Sequence, residues 1–195
     1  EEYQFRVFAS PVGPYFKGGV RPLVIRVCDL DRAAPRGTGH IKASLNYAMS
    51  LYALTEAHAL GYDENLYVDS ATRTYVEETG GANIIFAENE KRLVVPISAT
   101  ILPSITRRSL TYIAREYLGL EVVERRVELR ELDRFAECGL CGTAAVISPV
   151  GKIVDHGREI HYAGMGPVIT KLYDTLTGIQ MGRLPAPDGW LTEID

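Results

Sequence analysis

Between residues 65 and 95 the chain offers four short runs rich in β-branched and aromatic side chains, at 65–69, 74–78, 83–87 and 93–95. A short polar stretch separates the first pair, and Glu88 to Lys91 separates the second, which is the pattern of two β-hairpins. Much of this region therefore reads as antiparallel sheet, and the other elements must pack on it.

Upstream, Tyr3, Phe5 and Val7 alternate with Gln4 and Arg6 before a break at Pro11-Val12-Gly13-Pro14, which predicts a strand and a turn starting at the first residue, as in a chain cut from something longer. Residues 20–30 read as a second strand through Val24, Ile25 and Val27, and 31–39 as a loop punctuated by proline and glycine. Residues 42–60 carry Leu45, Met49, Tyr52 and Ala59 at helical spacing up to Gly61. Downstream, residues 101–106 open a helix capped by Ser104 or Thr106, with Leu110, Ile113, Ala114, Tyr117 and Leu118 as its buried stripe and Gly119 as its stop. A β-rich piece (Val122, Val123, Val127, Leu129), a short charged helix over 131–137, a buried strand over 142–150 and a hairpin return over 151–160 follow. Pro167 starts a last helix with Val168, Ile169, Leu172, Tyr173 and Leu176 inward and Gly178 as its end. No repeat, low-complexity tract or internal domain boundary interrupts this order.

A net charge of −4 and a pI near 5.6 argue against an electrostatic grip on nucleic acid. No run approaches ~18 uninterrupted apolar residues, and Glu1-Glu2-Tyr3-Gln4 has none of the basic and apolar character of a signal peptide, so the expectation is a cytoplasmic protein without a membrane span. Three cysteines, Cys28, Cys138 and Cys141, do not make a disulfide framework. Cys138-x-x-Cys141 has no second pair or histidine motif to complete a zinc site, no strand-to-helix setting for redox chemistry, and reads as ordinary thiols. No metal is expected.

Four stretches can carry chemistry together. Gly37, Thr38 and Gly39 lead to Lys42 at a loop-to-helix junction; a buried lysine near other cations loses its proton and attacks carbonyls, whereas one at a helix start is otherwise a surface charge. Ile105-Thr106 at a helix N-terminus, with Arg107 and Arg108 beyond, forms a cup for a small phosphate, and Gly142-Thr143-Ala144 offers a second set of N–H groups. Glu77 and Glu78 alternate across a strand, so that one can point inward to a cationic partner such as a protonated pyridine nitrogen; a solvated pair before a glycine turn is the alternative.

The motifs Gly39-His40-Ile41-Lys42 … Asn46-Tyr47, Glu78 … Gly80-Gly81-Ala82-Asn83 … Phe86, Ile101-Leu102-Pro103-Ser104-Ile105-Thr106-Arg107 and Gly142-Thr143-Ala144-Ala145 stand in the order found in branched-chain amino acid aminotransferases. From about Phe8 to Gly182 the chain resembles the cofactor-binding domain of these fold-type IV pyridoxal 5′-phosphate enzymes. The resemblance implies a mixed α/β fold, a largely antiparallel barrel-like sheet with flanking helices, and a homodimer. Residues 1–18 would be an interdomain strand and linker and 19–182 the cofactor domain; 183–195 read as a tail that is loose or packed only through Trp190. Lys42 would bind the cofactor's aldehyde and shuttle a proton; Tyr47 would bond its phenolic oxygen and Glu78 its ring nitrogen. Ile105, Thr106 and Thr143 would hold the phosphate, and the Thr143 and Ala144 amides the substrate carboxylate, whereas Arg73 reads as a solvated charge in a hairpin turn. Substrates would be leucine, isoleucine or valine and 2-oxo acids such as 2-oxoglutarate. An N-terminal domain that supplies a phosphate-binding arginine and much of the apolar pocket lies outside these residues. The redox cysteine pair of mammalian members would fall at Ala145 and Ser148, not at Cys138 and Cys141. The alternatives are a fragment inactive by itself, a D-amino acid transaminase and an aminodeoxychorismate lyase.

Overall fold

Strand β1 (Leu23–Val27) puts Leu23, Ile25 and Val27 on one buried face, and two strands distant in sequence pair with it in parallel, β2 (Glu64–Val68) and β8 (Val146–Asp155). The computed structural model describes residues 2–11, 21–144 and 146–192. Around β1 the sheet runs β3 (Val76–Thr79), β2, β1, β8, β7 (Glu137–Gly142), β4 (Asn83–Asn89), β5 (Arg92–Pro96), β6 (Glu121–Arg125), and β9 (Arg158–His161) pairs with β8. Antiparallel pairings (β2–β3, β4–β5, β4–β7, β7–β8, β8–β9) outnumber parallel ones (β1–β2, β1–β8, β5–β6). The two edges then meet: the Val76 N–H bonds Val127 O at 2.8 Å, the Leu129 N–H bonds Thr74 O at 2.8 Å, and Tyr75 bridges Glu128. The sheet is thus curled toward a barrel, the mixed α/β class expected from the sequence.

Curling gives every strand two different neighbours. Ile84 and Phe86 of β4 point into the barrel, where Phe86 stacks on Phe135 with ring centroids 4.6 Å apart. Their neighbours Ile85 and Ala87 point outward under α2 (Ile105–Glu116) and α3 (Pro167–Gln180), against Leu110, Ile113, Ile169 and Leu172. Cys138 faces the inner core and Cys141 the outer one.

Several expectations are corrected. Residues 3–8 form no strand, and Tyr3, Phe5, Val7 and Phe8 are exposed; the turn expected at 11–14 lies outside the described residues from 12 on, as does Ala145. Helix α1 (Ser44–Ala59) buries Asn46, Ser50, Ala53 and Ala57, not its apolar stripe: Leu45, Met49 and Tyr52 are 55, 55 and 67 % exposed. Small side chains let the helix axis approach the sheet closely, and the large ones are turned away. The charged helix expected over 131–137 is a 3₁₀ turn, Leu129–Arg134, and Glu137 opens β7, a strand unforeseen because a carboxylate, two thiols and two glycines do not look like one. The strand expected over 142–150, entered through a glycine turn, starts at Val146 as β8; Gly142 ends β7, and Thr143-Ala144 lie in the turn between them. Gly178 lies inside α3, its bare Cα packed under Leu184.

Glu137 explains its own burial. Its carboxylate accepts the Val168 and Ile169 N–H groups at 3.0 and 2.8 Å, capping α3 from the strand beneath. Glu137→Ala leaves those donors unpaired and is expected to cost about 2 kcal/mol. Thermal unfolding should then fall by roughly 4–8 °C, and a change under about 1 °C would refute the cap.

Candidate active site

The ends of β3, β4 and β7 and the start of α2 enclose a cavity of about 430 Å³. Lys42, Tyr47, Glu78, Ile105, Thr143 and Ala144 all line it; Thr106 does not, and sits in the first turn of α2 behind Ile105. Residues scattered over a long span of sequence are thereby gathered at one place.

The lysine's loop is fixed from α1. Asn46, 5 % exposed, donates from Nδ2 to Thr38 O and Ile41 O, both at 2.8 Å, so the loop ending at Lys42 is tied to the helix that follows it. Lys42 Nζ donates to Tyr47 Oη at 2.9 Å and lies 4.9 Å from the Tyr47 ring centroid. Of the two readings of the lysine, buried amine or surface charge, the structure shows the exposed one, on the cavity rim: the described residues supply its partner but not a roof.

Glu77 and Glu78 are both buried at 4 % exposure, so neither faces solvent. Glu77 accepts hydrogen bonds from Ser98 Oγ, at 2.8 Å, and from Thr100 Oγ1, and faces away from the cavity lining. Glu78 Oε1 accepts the Leu102 N–H at 2.8 Å and lies 3.0 Å from Arg32 Nη2, and Oε2 accepts Asn83 Nδ2 at 2.5 Å. Burial pushes the Glu78 carboxyl up to about 7, against the pull of Arg32, the Leu102 N–H and Arg107.

The anion cup has a clear origin. Ser104 caps α2, its Oγ accepting the Arg107 N–H at 3.2 Å, which settles the choice between Ser104 and Thr106. Among the described residues the N–H groups of Ile105 and Thr106 find no acceptor, and no acidic side chain stands in that turn. Ser104→Ala is expected to lower stability by about 1 kcal/mol, read as a small shift of the denaturant midpoint with unchanged slope.

Sequence reasoning missed Arg32. It lies in Asp31-Arg32-Ala33-Ala34-Pro35, a loop where charges normally meet water, and yet it is 6 % exposed. Arg73, partly exposed, lies outside the cavity lining as expected, and in addition pairs with Asp31 at 2.9 Å and donates to Cys28 O at 2.8 Å. Cys138 and Cys141 are buried on opposite faces of β7, and burial pushes the Cys141 thiol up to about 12, so both are inert thiols. Among the described residues no cluster could hold a metal ion and no helix is long and apolar enough to cross a membrane.

A curled sheet with helices on its outer face and polar side chains gathered at the ends of its strands is the architecture of a mixed α/β domain with a candidate ligand site. The profile of amino-transferase class IV matches residues 2–153, and the chain belongs to that family. It is 45 % identical to the branched-chain-amino-acid aminotransferase of Haemophilus influenzae, across 100 % of this chain and 59 % of that one. With the Helicobacter pylori enzyme of the same name it shares 43 % identity across 99 % of this chain and 57 % of the relative. Among solved structures, the branched-chain amino acid aminotransferase from Thermobaculum terrenum in its PLP form superposes with a TM-score of 0.76 at 34 % identity, over 85 % of this chain and 53 % of that one. The branched-chain amino acid aminotransferase from Escherichia coli gives 0.74 at 29 % identity, over 87 % of this chain and 55 % of that one. The chain thus spans less than two thirds of the relatives it matches.

Proposed function

We propose that this chain is the cofactor-binding part of a branched-chain-amino-acid aminotransferase, moving an amino group between leucine, isoleucine or valine and 2-oxoglutarate with pyridoxal 5′-phosphate. The observation that carries the reading is the meeting of Lys42, Tyr47 and Glu78 with the unpaired N–H groups of α2 around one cavity. These residues fit the cofactor: a primary amine for its aldehyde, a phenol beside that amine, a carboxylate for its ring nitrogen and a helix N-terminus for its phosphate. The buried Asn83 Oδ1, which has no partner among the described residues, adds an acceptor to the same wall.

When bound, the cofactor supplies an electron sink for charge at the substrate's Cα. Lys42 would hold the aldehyde and, once set free by the incoming amine, move the Cα proton; Tyr47 Oη aims its Nζ. Glu78 would keep the ring nitrogen charged. Ile105, Thr106 and Thr143 would neutralise the phosphate, and the Thr143 and Ala144 amides would orient the substrate carboxylate, in two half-reactions on one site.

The domain limits at 18 and 182, the cytoplasmic location and the homodimer belong to the same proposal. The exposed Leu45, Met49 and Tyr52 on α1 support further protein over that face. The same exposure and the open Lys42 favour a second reading, that these residues do not catalyse by themselves. One assay series separates the readings: protein supplied with pyridoxal 5′-phosphate should form glutamate from leucine and 2-oxoglutarate. Turnover of D-alanine or aminodeoxychorismate in its place would assign a related enzyme, and no turnover with retained cofactor would favour the second reading.

A further inference from the structure

We propose that Arg32 is a positioning residue, which aims Glu78 at the ring nitrogen of the cofactor and keeps its carboxylate ionised; this rests on the reading of the cavity as a pyridoxal 5′-phosphate site. Arg32 comes from the loop after β1, and its Nη2 donates to Thr100 O and stands 3.0 Å from Glu78 Oε1 as an ion pair. With the Leu102 N–H, this fills Oε1, whereas Oε2 carries the Asn83 amide and keeps one acceptor position free on a side chain that lines the cavity. Two N–H donors and the guanidinium, from three segments, thus fix the carboxylate in one orientation.

Charge state matters as much as aim. A carboxyl group this deep is neutral unless a cation stands by it, and a neutral carboxyl cannot balance a pyridinium. The charged and titratable groups facing Glu78 are Arg32, Glu77 beside it on β3, Arg107 in the first turn of α2 and the Cys141 thiol of β7, and the direct ion pair is with Arg32. The Lys42 loop also rests on this contact. A Cβ at Gly39 would fall 2.5 Å from Thr100 O, 2.7 Å from Ala33 Cβ and 3.0 Å from Arg32 Nη2. One guanidinium therefore underlies both the carboxylate and the approach to the lysine.

The test is made in the protein that carries this chain, with Arg32→Met and Arg32→Lys. The Glu78 midpoint is followed by carbon NMR of side-chain-labelled glutamate in cofactor-free protein, assigned with Glu78→Gln, and the affinity for pyridoxal 5′-phosphate by fluorescence titration near pH 8. Arg32→Met should raise the midpoint by about one to three pH units and weaken cofactor binding at least roughly tenfold; Arg32→Lys, which keeps the charge and loses the planar fork, should move both less. An unmoved midpoint in Arg32→Met, or weaker binding without a shift, overturns the assignment. Should Arg32→Met not fold, Arg32→Lys decides: a raised midpoint supports the role, and wild-type values for both quantities overturn it. Wild-type protein that takes up no pyridoxal 5′-phosphate overturns the underlying reading instead, before any variant is compared.

Discussion

Lys42→Ala should lower transamination by about 10³-fold or more and abolish the visible absorption of protein-bound cofactor, while leaving the fold intact. The fold survives because Lys42 is exposed and precedes α1; its loop is held by Asn46, not by its own side chain. Activity does not survive, because no other amine lines the cavity among the described residues except the always-charged guanidinium of Arg32. Tyr47→Phe serves as the graded companion: it removes the 2.9 Å partner of Nζ and should cost less than the loss of the amine itself. The measurement is leucine-dependent glutamate formation beside the absorption spectrum. A Lys42→Ala protein that keeps both would rule out the covalent role.

Glu78→Gln should stabilise the cofactor-free protein near pH 8 and weaken its hold on pyridoxal 5′-phosphate. The sign follows from the carboxyl group being held at about 7 in the folded chain against an ordinary 4.5. A folded carboxyl with a raised pKa favours folding in its protonated form; that contribution is fully present below pH 4.5 and is lost as pH rises through about 7. At about 1.4 kcal/mol per unit, wild type should lose about 3 kcal/mol relative to Glu78→Gln between about pH 4 and about pH 8. The amide stands in for the protonated carboxyl: it keeps an oxygen for Arg32 and Leu102 and, like that form, gives the guanidinium no counter-charge. Denaturant unfolding of both proteins at the two pH values is the check; a constant difference would show that Glu78 is not held protonated by burial. A site that carries this cost until a cationic ring arrives trades stability for binding.

The hairpins and two of the three helices were legible because their patterns are strong: β4 is a continuous apolar run from Ile84 to Ala87 ended by a polar turn, and α3 places Val168, Ile169 and Leu172 on one side after Pro167. Helix α1 was legible as a helix but not in its orientation, since packing selected alanine and serine where hydrophobicity alone favoured Leu45 and Met49. Strand β7 was invisible because its burial comes from tertiary demands: Glu137 is inside because α3 needs a cap, and Gly139 because a Cβ there would press 2.9 Å from both Ile147 and Ile169. Motif order named candidates that, Thr106 apart, all line the cavity, whereas it did not name Arg32, since its burial depends on Glu78 and Thr100, far along the chain.

Strand β7 also sets how freely this protein can change. Its first residue seats a helix, its middle thiols plug two separate interiors, and its last glycine opens onto the turn beside the cavity. Substitutions along it enter one interior or the other in alternation, so no stretch of the strand is free of a packed neighbour. New substrate preferences should therefore arise in the turns around the strand, with the strand itself inherited unaltered.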